Sequence, residues 1–484
     1  MPALTTLMIA DLEQELASFD KLRPTKCACD RKTQDVPLVS SEPGVLMRNA
    51  SMALALLVTI ACGHLTPTPA PAPVLGRWLF TFHIMGGLFR TPVELVADSV
   101  GLLKANALGP PLVRFNAASA SGDQLQLEGT SRFGAVHVKG RLVGDSFDGR
   151  WRIKILRGAV TARRLAVGPS SVSRRVASFD GLRDSLARRY YDSTFGGLSW
   201  DSLTTAYRPQ AAAARSDGEW LAVVRQMLGV LHSSHLDLSA ISIADALPTR
   251  GGGANTDESK IIQWRSVDPR VGYLRIAQFD EGPAALARLD SAFAALRGYA
   301  GLVVDVRGNP GGTLGAAMRL GDYLMSKPNP VGTFTTRRNS AAPAQYSGYS
   351  VDEFLRLLRE KGAVTLVAGG HVAQPYQGRV AILIDGGSGS TTEAFVAVIQ
   401  ELHLASLVGQ RTAGGMLSSA ELQLDGGWVL RFPEADFRTP AGQRIEGRGV
   451  SPDIVASRHW YRDSQLRAAV SIVTSAPKER REAR

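Results

Sequence analysis

Cysteine occurs only at positions 27, 29 and 62, so no disulfide can staple whatever folds beyond Cys62. Cys and His at zinc-ligand spacing are missing too, and no site for a metal or an organic cofactor is visible. Charged residues make up 20% of the 484-residue chain and apolar residues 44%, ordinary for a soluble globular protein. Basic residues exceed acidic ones by 11, but the arginines are dispersed and not gathered into a stripe with aromatics. That distribution indicates a solvated basic surface and argues against a nucleic-acid partner. Lysine is missing altogether between Lys361 and Lys478, a gap that bears on the chemistry below.

Long apolar runs are equally scarce. Residues 47–62, "MRNASMALALLVTIAC", place one arginine before a short apolar stretch that ends in small residues. This is the plan of a secretory signal, and it is too short to span a bilayer. The cysteine after Ile60-Ala61 resembles a bacterial lipoprotein cleavage site, which would make Cys62 the lipidated first residue. The expectation is an exported, periplasmic or envelope protein that associates with the membrane through a lipid anchor. A signal belongs at an N-terminus, so Met47 is expected to be the true start and residues 1–46 an upstream over-extension. "TPTPAPAP", within 63–75, reads as an extended linker.

At this length two or three domains are expected. Residues 76–167 consist of short alternating segments such as "GRWLFTFHI" and "QLQLEGTSR" between Gly, Asp and Asn, the pattern of a small antiparallel barrel or sandwich. Its Trp78 and Trp151 fit a core better than a ligand platform. Residues 173–245 are helical, with Ser216-Asp217 as a helix start and "HSSHLDL" at the end of the last helix. A polar link covers about 243–268. From 269 to 465 apolar strands ("VGYLRI", "GLVVDVR", "RVAILID", "ASLVG") alternate with helices, which argues for parallel crossover units with active groups at strand carboxyl ends. Residues 329–375 read as an insertion with one short helix, and 466–484 as a final helix and charged tail.

Two Gly-rich turns, 308–312 and 386–389, fall at such strand ends. Ser390 follows the second, at the mouth of a helix where backbone N–H groups lack partners. A lone serine there is ordinarily an N-cap; the same N–H groups could instead hold an oxyanion. Asp305 and Arg307, closing a buried strand, read as a structural ion pair. Glu393, in the first helical turn, suits the helix dipole.

Together "LVVDVRGNPGG", "ILIDGGSGSTTEAF", "LVGQRTAGG" and "TPAGQRIEGRGVSPDIV" resemble the superfamily of tail-specific (carboxyl-terminal-processing) and tricorn-core serine peptidases, over about residues 173–465. The resemblance implies an α/β, ClpP/crotonase-like crossover core with an N-terminal helical subdomain, acting on protein or peptide substrates. It places the nucleophile at Ser390, not Ser388, and oxyanion donors at Thr391 and in the Gly311-Gly312 turn. The tail-specific branch uses a lysine as base, but Gly415 stands in its place, and Arg411 stays protonated. The tricorn-like branch uses a histidine after a serine, which on the match of "MLGVLHSSHLDL" makes His235 the base and Ser234 its support, with Glu446 as the acid that fixes the tautomer. His232 is the bland competitor for the base. About thirty residues separate His235 from Val271, too few for the PDZ domain that many tail-specific relatives insert there. The expected function is therefore a serine endopeptidase. The rivals are a non-catalytic lipid, retinoid or peptide binder on the same fold, and an adhesin working through residues 76–167.

Overall fold

The computed structural model describes residues 74–84, 87–109, 113–131, 134–166, 170–241, 261–280, 282–457 and 463–475. The expected leader, signal and Cys62, nearly all of the linker, and the tail from 476 lie outside the described residues.

The chain opens with eight strands: β1 (Gly76–Ile84), β2 (Gly87–Ala97), β3 (Leu103–Ala107), β4 (Arg114–Ser121), β5 (Gln124–Ser131), β6 (Gly134–Val143), β7 (Ser146–Ile153) and β8 (Leu156–Arg164). They form one antiparallel sheet in the order β3-β2-β1-β8-β7-β6-β5-β4, and its end strands β3 and β4 lie against each other. The sheet is thus nearly closed, which removes most of its exposed edge. Alternate residues of each strand turn inward, so Trp78, Phe80, Val93, Leu125, Val138, Trp151 and Val160 fill the interior.

Three helices follow: α1 (Val172–Arg189), α2 (Trp200–Ala213) and α3 (Asp217–Gly229). Ser171, Ser199 and Ser216 cap them by accepting the N–H three residues on. In α3, Trp220, Leu221, Val224, Met227 and Leu228 recur at helical spacing and bury against α1 and α2. The barrel is clamped to this layer by charge. Arg77, buried, donates to Asp217 at 2.6 Å, and Glu94 accepts the N–H groups of Asp217 and Gly218 at 2.9 and 2.8 Å. A barrel carboxylate therefore sits at the N-terminus of α3, where the helix dipole favours it. Burial pushes the Glu94 carboxyl up from its ordinary value.

The remaining chain builds two six-stranded sheets. The first runs β10 (Ile262–Asp268), β11 (Val271–Ile276), β12 (Gly301–Asp305), β16 (Arg379–Ile384), β17 (Ser406–Gly409) and β20 (Ile454–Val455). It is parallel from β11 onward. Helices α4 (Pro283–Leu296), α5 (Leu314–Leu324) and α7 (Thr391–Glu401) lie in its crossover connections, and α8 (Ser464–Thr474) packs on it after the last strand. Strand β10 pairs antiparallel at the edge and falls inside the stretch read from sequence as a polar link. The second sheet runs β14 (Ala344–Tyr346), β15 (Ala363–Ala368), β13 (Asn329–Thr336), β19 (Trp428–Arg438) and β18 (Leu417–Leu424), and short β9 (Asp237–Ser239) adds to β19 as the sixth strand. The segment expected to be an insertion with one helix, α6 (Val351–Lys361), thus also supplies three strands of a sheet.

At the carboxyl end of β12, Arg307 donates to Asp305, Asp463 and Gln465 and ties α8 to the parallel sheet. Burial alone would raise the Asp305 carboxyl, but Arg307 and Arg275 hold it down to about 2.

Candidate active site

Strand β16 ends at Ile384, and six residues later the chain enters α7 through Ser390. The turn is knitted internally and to its neighbour. Asp385 accepts the N–H groups of Gly387 and Gly308, and Gly389 N–H donates to the Asn309 carbonyl at 2.9 Å. The Thr391 hydroxyl donates to the Gly312 carbonyl at 2.8 Å. A methyl group at Gly311 would lie 2.8 Å from the Gly389 oxygen, the Ser390 Cβ and the Thr391 nitrogen, so only glycine lets the turns approach. Ser388 is fully buried and donates to the Val306 carbonyl.

Ser390 itself is half-buried and held at φ 53, ψ −123, a conformation costly for a residue with a side chain. A strained strand–turn–helix device of this kind presents the nucleophile in α/β-hydrolases. Glu393, one helical turn on, does more than answer the dipole. Fully buried, its carboxylate accepts N–H groups from Ser390 (3.1 Å), Gly414 (2.7 Å) and Gly415 (2.8 Å), fastening the loop after β17 to the serine turn.

His235 reaches the same place from the opposite direction. Helix α3 ends at Gly229, and the chain turns through His232 and His235, both at positive φ, before β9 pairs with β19. The Ser234 hydroxyl donates to Glu446 Oε2 at 2.8 Å and lies 2.7 Å from His235 Nδ1. With its one proton committed to the carboxylate, that oxygen can only accept from the ring. Nδ1 is therefore the protonated nitrogen and Nε2 is bare. Glu446 also accepts the Ser234 and Met416 N–H groups. Glu446 thus reaches the imidazole through the serine hydroxyl. Burial, reinforced by the Arg431 charge, pushes the His235 imidazole well below its ordinary value of 6.5 and keeps it neutral.

Ser390, Ser234, His235, Glu446 and Gly312 line one cavity of about 500 Å³, with Arg225, Asp237 and Arg431 in its wall and His232, exposed, also on its lining. No hydrogen bond joins the Ser390 hydroxyl to the His235 ring; catalytic contacts of this kind tighten in the complex with substrate. Gly415, in the place of the lysine used by the tail-specific branch, sits where an added methyl group would lie 3.6 Å from Ser234 Cβ and 4.0 Å from His235 Cε1. A side chain at 415 would grow toward the volume that the histidine occupies.

Of the two glycines expected to donate to an oxyanion, Gly311 is engaged, because its N–H donates to Asn309 Oδ1 at 2.9 Å. Among the described residues the Gly312 and Thr391 N–H groups have no partner. Arg225 and Arg431 had no part in the sequence reading. An arginine on a strand or helix face looks solvated until the fold closes over it. Asn309, fully buried behind the turn, had a signal in "GNPGG", where a polar residue precedes two glycines. Among the described residues no cluster of His, Cys, Asp and Glu could hold a metal, and no helix is long and apolar enough to cross a membrane.

Residues 270–456 match peptidase family S41. The chain contains an S41 peptidase domain. Residues 178–229, covering most of α1 and all of α2 and α3, match the tricorn protease C1 domain. A carboxy-terminal-processing protease of Bartonella bacilliformis is 28% identical over 206 residues, 41% of either chain. A CtpA-like serine protease of Staphylococcus epidermidis is 25% identical over 40% of this chain and 34% of its own. The chain therefore spans less than half the length of these curated relatives. The crystal structure of the tricorn protease aligns over 80% of this chain and 53% of its own at 13% identity, with a TM-score of 0.43.

Proposed function

We propose that the chain is a serine endopeptidase that cleaves peptide bonds through an acyl-enzyme on Ser390. The observation that carries the reading is the relay Glu446–Ser234–His235, opening with a bare, neutral imidazole nitrogen onto the cavity that Ser390 also lines. Ser390 Oγ attacks the scissile carbonyl while His235 Nε2 takes the hydroxyl proton. The negative charge on the former carbonyl oxygen is met by the Gly312 and Thr391 N–H groups, at the positive end of α7. The imidazolium then gives its proton to the leaving amine, and the C–N bond breaks. In the second half-reaction His235 deprotonates a water that attacks the ester, the acyl C–O bond breaks to release the acid, and the imidazolium returns the proton to Ser390 Oγ. Glu446, acting through Ser234, stabilises the imidazolium in both steps.

The parallel sheet and its crossover helices support a ClpP/crotonase-like core. The composition of residues 47–62 supports export to the cell envelope and a lipid anchor on Cys62, read out by fatty-acid labelling of wild type and Cys62→Ala. For the chemistry, Ser390→Ala and His235→Ala are each expected to abolish hydrolysis of unstructured peptides without a change in melting midpoint. Ser390→Ala should also lose labelling by a fluorophosphonate. Undiminished turnover in either variant ends the assignment.

A further inference from the structure

Arg431 lies on β19 directly opposite Asp237 of β9 on one side and Glu421 of β18 on the other. It faces the cavity that Ser390 and His235 share. The second arginine in that wall, Arg225, is paired with a carboxylate and two carbonyls. It donates to Asp237 at 3.1 Å and to the carbonyls of Gly109 and Leu238 at 2.7 and 2.8 Å. Arg431 is not engaged in this way. Its Nε donates to Ser419 Oγ at 3.1 Å, and its Nη1 is buried with no hydrogen-bond partner. Among the described residues no carboxylate stands within ion-pair distance of its guanidinium. Arg431 is half-buried, the Glu421 and Asp237 charges act on it only from beyond pairing distance, and an unmet buried donor carries a standing cost. Such groups persist where the partner arrives with a ligand.

The geometry points to Arg431 as a subsite for a carboxylate of the bound peptide. This inference rests on the peptidase reading above. A guanidinium and a carboxylate match as a planar fork, which an amide cannot reproduce. A space of about 500 Å³ is roughly 10 Å across, the reach of about three extended residues. The carboxylate therefore belongs to a residue within about three positions of the cleaved bond. It is either an acidic side chain there or the free C-terminus of a peptide cut close to its end. The proximity that lets Arg431 depress the His235 imidazole means an arriving carboxylate would also offset that effect.

The test pairs synthetic peptides that differ only in this group. One arm compares a free C-terminal acid with its carboxamide, and the other compares Glu with Gln within three positions of the cut. Wild type should favour the carboxylate member of one arm by roughly ten- to a hundredfold in kcat/KM. Arg431→Gln should bring that ratio close to one, and Arg431→Lys should keep part of it. Any change that the variants cause at His235 of the free enzyme is common to both members of a pair, and the binding arm below does not depend on proton transfer. Calorimetric binding of the same pairs to Ser390→Ala reads the subsite without turnover. A peptide that binds with the carboxylate preference but is never cleaved by wild type would fault the peptidase reading and leave the subsite standing. Equal kcat/KM and equal affinity within both pairs in wild type would overturn the subsite, as would a preference unchanged in Arg431→Gln.

Discussion

His235 must be neutral to accept a proton, and its surroundings keep it so. Because burial and Arg431 hold its folded-state pKa well below 6.5, the acid limb of kcat/KM should fall below pH 6.5, with activity still near its plateau at that pH. A half-maximal point at or above 6.5 in a pH–rate series would contradict this. The sign for stability runs the same way. The unfolded chain takes up the proton first as pH drops through 6.5, so this group's contribution to folding is lost on acidification. Ser234 makes a sharper probe. Its hydroxyl is the sole link between Glu446 and the imidazole, so Ser234→Ala should lower kcat by about 10²- to 10⁴-fold with KM nearly unchanged. Steady-state kinetics on a folded variant checks it.

At the scale of elements, the site is two turns pressed together at the ends of β12 and β16. Gly311→Ala puts a methyl group 2.8 Å from three atoms of the serine turn, one of them Ser390 Cβ. It should cost activity by displacing the serine even where the barrel and helical layer stay folded, seen as lost turnover with far-UV dichroism retained. The parallel strands were legible in the sequence because β12 and β16 are buried on both faces and read as unbroken apolar runs. Strands β13–β15, β18 and β19 were not, because their pairing joins segments far apart in the chain and local pattern says nothing of partners. "ELQLDGGWVLRF" did carry a hairpin signal in its Asp-Gly turn between alternating residues. Strand β10 hid in a polar neighbourhood, since an edge strand needs only one apolar face. The relay brings together residues 212 positions apart, and no periodicity announces such a meeting. Only the order of motifs did.

Across the whole molecule, the barrel is joined to the helical layer by a buried ion pair between Arg77 and Asp217, with side chains 1% and 0% exposed. The Arg77 guanidinium also lies over the Trp428 ring. Asp217→Ala removes the carboxylate that pairs with the buried Arg77 and Arg175, which should cost about 3–5 kcal/mol in urea unfolding. A loss below about 1 kcal/mol would mean that water, not the carboxylate, satisfies the arginines. The barrel also reaches the cavity, since the Gly109 carbonyl holds Arg225 and Leu108 accepts the Ala240 N–H at 2.9 Å. Its removal would therefore unsettle the wall beside His235.

The backbone at Ser390, at φ 53 and ψ −123, has one further consequence. Glycine adopts those angles freely, so Ser390→Gly should melt higher than wild type, by roughly 1 kcal/mol of relieved strain, while hydrolysing nothing. Thermodynamics alone would erode the nucleophile. On the proposed chemistry, the hydroxyl is kept against the grain of folding for the work it does.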